Sequence, residues 1–168
     1  MNKIISKSEA DILIESEKYI ETEIKWILDP NKEYIYEFRV PLKAIDYPNV
    51  KLILKGSTNV ALGRHTFAII YNGAARIKAL DIGKIHPNRC PHHEKEVVGI
   101  KHKHTWQDCC NDRWAYVPDD ITDNAPLEQV FWEFLRECNI TYEYDFPEIP
   151  ATQLELILDE LLNDQIIS

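Results

Sequence analysis

Two histidines, His102 and His104, stand two positions apart in the run GIKHKHTWQDCC, beside a pair of adjacent cysteines. If this run forms a β-strand, its alternate side chains share a face, and the two imidazoles lie roughly 6–7 Å apart, the length of two strand rises. Three uses fit that spacing: a general acid–base pair, part of a metal site, or two polar side chains on the exposed face of a strand. The residues alone leave all three open.

The acid–base interpretation requires no metal. One neutral imidazole would take the proton of a ribose 2′-hydroxyl while the other, protonated, would give a proton to the leaving oxygen. Histidine suits both roles because its ordinary pKa is close to neutral. The charge that develops on the phosphoryl group needs a cation nearby. Lys101 and Lys103 should point to the opposite face of the strand, so Arg89 and Lys84 in the preceding loop are the better candidates.

The metal interpretation makes His102 and His104 two ligands of a zinc ion. A tetrahedral site would be completed by neighbouring donors, namely Cys90, His92, His93, Cys109 or Cys110. Zinc accepts mixtures of nitrogen and sulfur, but the spacings here differ from the usual C-x₂₋₄-C and H-x₃₋₅-H pairs. We therefore predict no cofactor and keep as an alternative a zinc site made of His102, His104, Cys109 and Cys90.

Charge is unevenly distributed along the chain. The net charge is −9, yet the window from Lys84 to His104 holds five basic and two acidic residues, which gives it +3 and leaves −12 for the rest. Five of the six histidines fall in the same window. An acidic body argues against a general nucleic-acid-binding protein, whereas one basic patch suits a small anionic ligand or a single phosphodiester. A solvated basic loop would give the same pattern.

Length and composition predict one soluble domain. The chain has 168 residues, 45% of them hydrophobic, and can bury a sizeable core without disulfides. Charges run through the N-terminal residues, and no apolar stretch approaches the roughly 20 residues of a membrane span. We therefore expect a cytoplasmic protein with no membrane partner, whose four cysteines are reduced thiols.

The order of the predicted elements indicates an α+β fold that spans residues 1–168 as a single domain. Ser6 and Glu9 have the spacing of a capping box, which predicts an N-terminal helix to about residue 20. Alternating runs then predict a mainly antiparallel sheet of six or seven strands, with a hairpin turn at Asn72-Gly73. Helical periodicity returns near Val130 and again over about residues 152–162, so two C-terminal helices are expected.

Several short motifs resemble those of an uncharacterised domain family found in bacteria and phages. The family pattern reads L-D-I, H-x-N-P, G-P-H-x-H and D-K-W-A, in that order. The matching segments here are residues 80–82 (LDI), 86–88 (HPN), 99–104 (GIKHKH) and 112–116 (DRWAY). The resemblance covers most of the chain.

Carried over residue by residue, this resemblance adds supporting positions to the paired histidines. These are His86, Asp81, Asn88 and Trp114. The chain departs from the pattern at Ala79, where the family has arginine, and at Lys101, where it has proline. Arg76 is the nearest substitute for the missing arginine.

The order of a His-Asn segment followed by His-x-His is also similar, more distantly, to the TumE-like toxins of toxin–antitoxin modules. That similarity implies a small, metal-independent endoribonuclease of toxin type. In it His102 and His104 are the acid and base, His86 assists, and Arg89 or Arg76 holds the phosphate. The implied partners are RNA and a cognate antitoxin or defence-system protein.

Other classes of function fit the composition as well. A compact acidic domain can bind the basic surface of a partner protein, as inhibitors of bacterial defence nucleases and acidic antitoxins do. Such a protein should survive replacement of both histidines, whereas the enzyme should not. A zinc-stabilised domain is the third alternative, and it should unfold when the metal is stripped.

Overall fold

The computed structural model describes residues 4–90, 96–121 and 125–151. These residues contain the helices α1 (Lys7–Glu15) and α2 (Leu127–Glu137). Their strands are β1 Lys18–Tyr19, β2 Ile27–Leu28, β3 Ile35–Ala44, β4 Leu52–Asn59, β5 Arg64–Tyr71, β6 Ala75–Ile82, β7 His86–Pro87, β8 Val97–Val98, β9 Lys101–Thr105, β10 Ala115–Tyr116 and β11 Ile140–Thr141. Neither described helix has the length and apolar content needed to cross a membrane.

Nine of the strands form one mixed sheet, in the order β10-β9-β6-β5-β4-β3-β1-β11, with β2 also paired to β3. Neighbours are antiparallel except β1 and β11, which are parallel. The strands β7 and β8 form a separate antiparallel pair. The long central meander from β3 to β6 is therefore the platform on which the shorter strands are placed.

Local sequence explains the central hairpin and the start of α1. The turn between β5 and β6 uses Asn72 and Gly73, both with positive φ (49° and 72°), as a tight two-residue hairpin requires. Ser6 and Glu9 form the predicted capping box at the N-terminus of α1. The helix ends at Glu15, and the buried Lys18 ammonium donates hydrogen bonds to the carbonyls of Leu13 and Ile14 in its last turn.

The hydrophobic core lies between the sheet and α2. Phe67 of β5 packs against Phe131 and Phe134 of the helix, with ring centroids 5.6 and 6.0 Å apart. All three side chains are at most 1% exposed. One face of β5 and β6 is thus covered by α2.

The predicted α+β architecture with six or seven strands is wrong. The described residues are mostly sheet, with nine strands in one sheet and two more in a second. Four of the nine, β1, β2, β10 and β11, have only two residues, too short to show an alternating pattern. The N-terminal helix is also shorter than expected, and the predicted helix over residues 152–162 lies outside the described residues.

Candidate functional site

The register between β6 and β9 places the paired histidines beside an aspartate. Asp81 pairs with His102, and Ala79 pairs with His104. Thr66 of β5 pairs in turn with Asp81. Because directly paired residues project to the same side of a sheet, these side chains share the face opposite α2.

A third imidazole, from His86 of β7, packs against the rings of His102 and His104. The ring centroid of His86 lies 5.3 Å from that of His102 and 4.7 Å from that of His104, which are 5.1 Å from each other. His102 and His104 are 2% and 1% exposed, whereas His86 is only half-buried. We call His86, His102, His104 and Asp81 the histidine cluster.

Backbone carbonyls set the tautomers of the two buried rings. The Nδ1 atom of His102 lies 3.0 Å from the carbonyl of Gly99, and that of His104 lies 2.8 Å from the carbonyl of Asp112. A carbonyl only accepts, so each Nδ1 carries a hydrogen. The Nε2 atoms of His102 and His104 therefore face Asp81 Oδ2, at 3.6 and 3.0 Å.

This arrangement is suited to a cation between the rings and the carboxylate. With Nδ1 carrying the hydrogen, the Nε2 lone pairs and the carboxylate oxygen are three donor atoms directed at the same point. Within the described residues, His104 Nε2 is buried without a hydrogen bond of good geometry. The nitrogens of His86, His102 and His104 all lie within 4.8 Å of one another, so they could also hold a metal ion.

Asp81 remains ionised in this environment. Burial favours its neutral form, but the contacts of His102 and His104, the Thr66 hydroxyl and the charge of Arg76 outweigh burial and hold the pKa of Asp81 well below its ordinary range. The carboxylate is thus a permanent negative charge shared by several cationic or polar groups.

A β-bulge brings Arg76 to the same face as Asp81. Residues five apart on a regular strand point to opposite faces, but Ile77 is an extra residue between the pairs Ile69–Lys78 and Ile70–Arg76. Arg76 Nη1 lies 3.4 Å from Asp81 Oδ2, and its Nε donates to Asp112 Oδ2 at 2.9 Å. Arg76 therefore links the cluster to the turn before β10.

An open groove with a volume of about 560 Å³ adjoins the cluster. Its lining residues are Arg76, Lys84, Ile85, His86, Pro87, Arg89, Asp112 and Arg113, and we call it the basic groove. Four of these residues are cationic and one is anionic. His86 belongs to both the groove and the histidine cluster, so it is the ring through which the two communicate.

The environment of His86 favours a neutral imidazole. Burial lowers its pKa, as do the neighbouring rings of His104 and His102, and together they outweigh the carbonyl of Arg113 and the charge of Asp81. Its Nε2 lies 3.2 Å from the carbonyl oxygen of Arg113 and must donate to it. The lone pair of the neutral ring is then on Nδ1, which can accept a proton.

Residues 5–140 match a family of unknown function, and this range includes the histidine cluster and the basic groove. The chain belongs to DUF6978. This finding confirms the predicted membership of an uncharacterised family, while the similarity to TumE-like toxins stays a prediction. No curated protein and no solved structure gives a significant match.

The remaining predicted site residues of this DUF6978 chain have different surroundings. Arg89 and Lys84 line the basic groove. The buried Asn88 donates through Nδ2 to the carbonyl of Ala115 (2.9 Å) and accepts from its amide (2.7 Å), so it fixes the segment after β7 to β10. Trp114 stacks on Tyr116 with centroids 5.3 Å apart. The contacts of Asn88 and Trp114 are therefore structural.

Sequence reasoning missed three polar residues of the site: Thr66, Asp112 and Arg113. Asp112 and Arg113 were visible as part of the DRWAY motif, but nothing in the motif indicates that one accepts from Arg76 and the other lines the groove. Thr66 could be found only from the register of β5 against β6.

Within the described residues, the cysteines and the histidines of the alternative zinc site do not share one group of candidate ligands. In the described residues, candidate ligands within 4.8 Å of one another fall into two groups, the three histidines and the trio Cys90, Cys109 and Cys110. His92 and His93 lie outside the described residues. Cys90 and Cys110 form a disulfide, so the prediction of reduced thiols is wrong for this pair. Cys109 and Cys138 are free.

Proposed function

We propose that this DUF6978 chain is a toxin-type endoribonuclease whose active site is the histidine cluster and the basic groove. One observation carries the proposal. His86 stands in the wall of a groove lined by four cationic side chains and contacts both buried histidines beside an ionised carboxylate. Cationic groups at a phosphate and imidazoles for proton transfer are what RNA cleavage without a metal needs.

His86 is the general base in this proposal. Because its pKa is lowered, the ring is neutral at pH 7, and its Nδ1 can take the proton of a ribose 2′-hydroxyl. His102 and His104 are too deeply buried to meet RNA in the groove. The geometry thus favours reversing the roles expected from the sequence, with His86 at the substrate and the paired histidines behind it.

His86 also supplies the second proton. The 2′-oxygen attacks phosphorus, the bond from phosphorus to the 5′-oxygen breaks, and the leaving oxygen takes the proton that His86 Nδ1 removed from the 2′-hydroxyl. The negative charge of Asp81 favours the protonated His86 ring between these two transfers, while His102 and His104 hold the Asp81 carboxylate in place. The products are a 2′,3′-cyclic phosphate and a 5′-hydroxyl, and His86 is neutral again.

Phosphate binding falls to the groove cations that pair with no carboxylate within the part of the chain that the structure describes. Arg76 contacts both Asp81 and Asp112, so its guanidinium already pairs with two carboxylates and holds them in position. Arg89, Lys84 and Arg113 line the groove beside His86. We assign phosphate binding to these three, which keeps two of the residues expected from the sequence and replaces Arg76 by Arg113.

The test is cleavage of labelled single-stranded RNA by the purified chain in EDTA, with analysis of the product ends. We expect 2′,3′-cyclic phosphate ends and a loss of about 100-fold or more in His86→Ala, the usual contribution of a general base. The matched control is His65→Ala, because His65 lies on β5 and contacts Thr58, outside the cluster.

Other outcomes of the same assay select the alternatives. Cleavage that disappears in EDTA and returns with zinc would replace the acid–base mechanism by a metal held on the three histidines. No cleavage with or without zinc, by a folded protein, would overturn the enzyme and leave the acidic interaction protein.

A further inference from the structure

Three cysteine sulfurs converge between two segments that contribute residues to the basic groove. The Sγ of Cys109 lies 3.3 Å from that of Cys90 and 3.3 Å from that of Cys110, and Cys90 is bonded to Cys110. Cys90 is 1% and Cys110 7% exposed, whereas Cys109 is exposed to solvent. We call Cys90, Cys109 and Cys110 the thiol cluster.

A tight turn makes the adjacent cysteines converge. The amide of Gln107 donates to the carbonyl of Asn111, and the amide of Asn111 donates to the carbonyl of Gln107, both at 2.8 Å. Asn111 has a positive φ of 57°, which asparagine tolerates better than most residues. Neighbouring side chains on an extended strand would point apart, whereas in this turn both sulfurs reach Cys90.

We propose that the reduced thiol cluster binds one zinc ion through three thiolates, and that the Cys90–Cys110 disulfide is its oxidised, metal-free form. A disulfide needs only two cysteines. A metal site would explain why a third sulfur lies at the same distance from both of them. Zinc–thiolate bonds of about 2.3 Å place sulfurs about 3.8 Å apart in a tetrahedral site. All three sulfurs already lie within 4.8 Å of one another.

The chemistry of the two forms balances with a dithiol as the reductant. The dithiol gives two electrons and two protons to the Cys90–Cys110 disulfide and leaves as its own disulfide. Zinc then displaces the three thiol protons, because thiolates are the ligands that it binds. Water at the exposed side of Cys109 would supply the fourth ligand. In the reverse direction a small disulfide is the oxidant: it takes two electrons from Cys90 and Cys110, picks up two protons and leaves as a dithiol, while the Cys90–Cys110 bond forms and the ion is released.

Both forms link two segments that contribute to the basic groove. Cys90 directly follows Arg89, and Cys110 lies two residues before Asp112, and both Arg89 and Asp112 line the groove. Metal binding or the disulfide would therefore hold Arg89 and Asp112 in place. This inference does not rest on RNA cleavage and can be tested without it.

Cobalt is the probe, because Co²⁺ bound by thiolates has intense ligand-to-metal charge-transfer bands and visible d–d bands. The full chain is reduced with a dithiol, freed of reductant without air, titrated with Co²⁺ and then with Zn²⁺. We expect thiolate bands that saturate at one ion per chain and disappear as zinc displaces cobalt. Unreduced protein should show none of these bands.

Cys109→Ser separates a metal site from a simple disulfide. The side chain is exposed, so the variant should fold and keep the Cys90–Cys110 bond, yet we expect it to bind cobalt at least about tenfold more weakly. Cys138→Ala, at the free cysteine buried in the core, should bind normally once its thermal melt shows that it has folded. Cobalt binding by Cys109→Ser as tight as by the parent would overturn the proposal, as would bands lost only in His102→Ala.

Discussion

The charged side chains on the two faces of β9 are paired differently. On the face toward α2, the ammonium of Lys103 lies 2.6 Å from Asp120 and 2.7 Å from Glu137, and the neighbouring Lys78 lies 2.8 Å from Glu137. On the other face, His102 and His104 share the single carboxylate of Asp81. On the first face these two lysines have two acids, whereas on the second the two imidazoles share one.

This difference separates a structural polar group from a reactive one. A buried charge needs a partner of opposite charge, and here the lysines and their carboxylates neutralise each other. These ion pairs also attach α2 to the sheet. On the histidine face, the carboxylate of Asp81 is shared by two imidazoles and the guanidinium of Arg76, which also pairs with Asp112. This face opens through His86 to a groove rich in cations. We therefore expect changes on the lysine face to affect stability and changes on the histidine face to affect RNA cleavage.

The largest effect on folding should come from the shared carboxylate of the lysine face. Glu137→Gln removes the partner of two buried ammonium groups, and we expect the free energy of unfolding to fall by about 2 kcal/mol, discounted because the Glu137 side chain is 28% exposed. Glu128→Gln, in the first turn of the same helix, should change it by less than about 0.5 kcal/mol. Urea denaturation of both variants makes the comparison, and equal effects would refute the structural role.

Acid should discriminate the histidine face from the lysine face. Since the pKa of Asp81 is lowered in the folded state, its contribution to stability is complete above the unfolded value of about 3.9 and is lost as the pH falls toward the folded value. Asp81→Asn should therefore be less stable than the parent at pH 7, and the gap should close below about pH 4. Thermal melts across this pH range make the test. A difference in stability between parent and Asp81→Asn that does not change with pH would show that it does not come from the charge of Asp81.

A smaller effect is expected in the pH dependence of RNA cleavage. Because the pKa of His86 is lowered, the rate should rise with pH through a midpoint below the ordinary histidine value of 6.5 and then level off. The paired control is the pH dependence of folding, which must be flat over the same range. A midpoint above 6.5 would show that another group is the base.

Local pattern was enough to predict part of the site. The alternation of β9 separates His102 and His104 from Lys103, and the motif order drew attention to His86 and Asp81. Arg76 joins Asp81 only because of the bulge at Ile77, which no periodicity signals. The same holds for the two-residue strands, since their pairing depends on distant segments such as β1 against β11.

The disulfide shows a second limit of sequence reasoning. The expected compartment predicts reduced cysteines, and their spacing matches no familiar metal site. Their convergence follows from the turn between Gln107 and Asn111 and from the position of Cys90 after β7, which are three-dimensional properties. Residue counts and spacing could not reveal it.

The most direct test of the account compares one variant from each face in the same RNA-cleavage assay, with rates expressed per folded molecule. We predict that His86→Ala loses about 100-fold or more in rate while keeping its stability, and that Glu137→Gln keeps its rate while losing stability. Equal loss of cleavage in both variants, or full activity of folded His86→Ala, would contradict the assignment of chemistry to the histidine face.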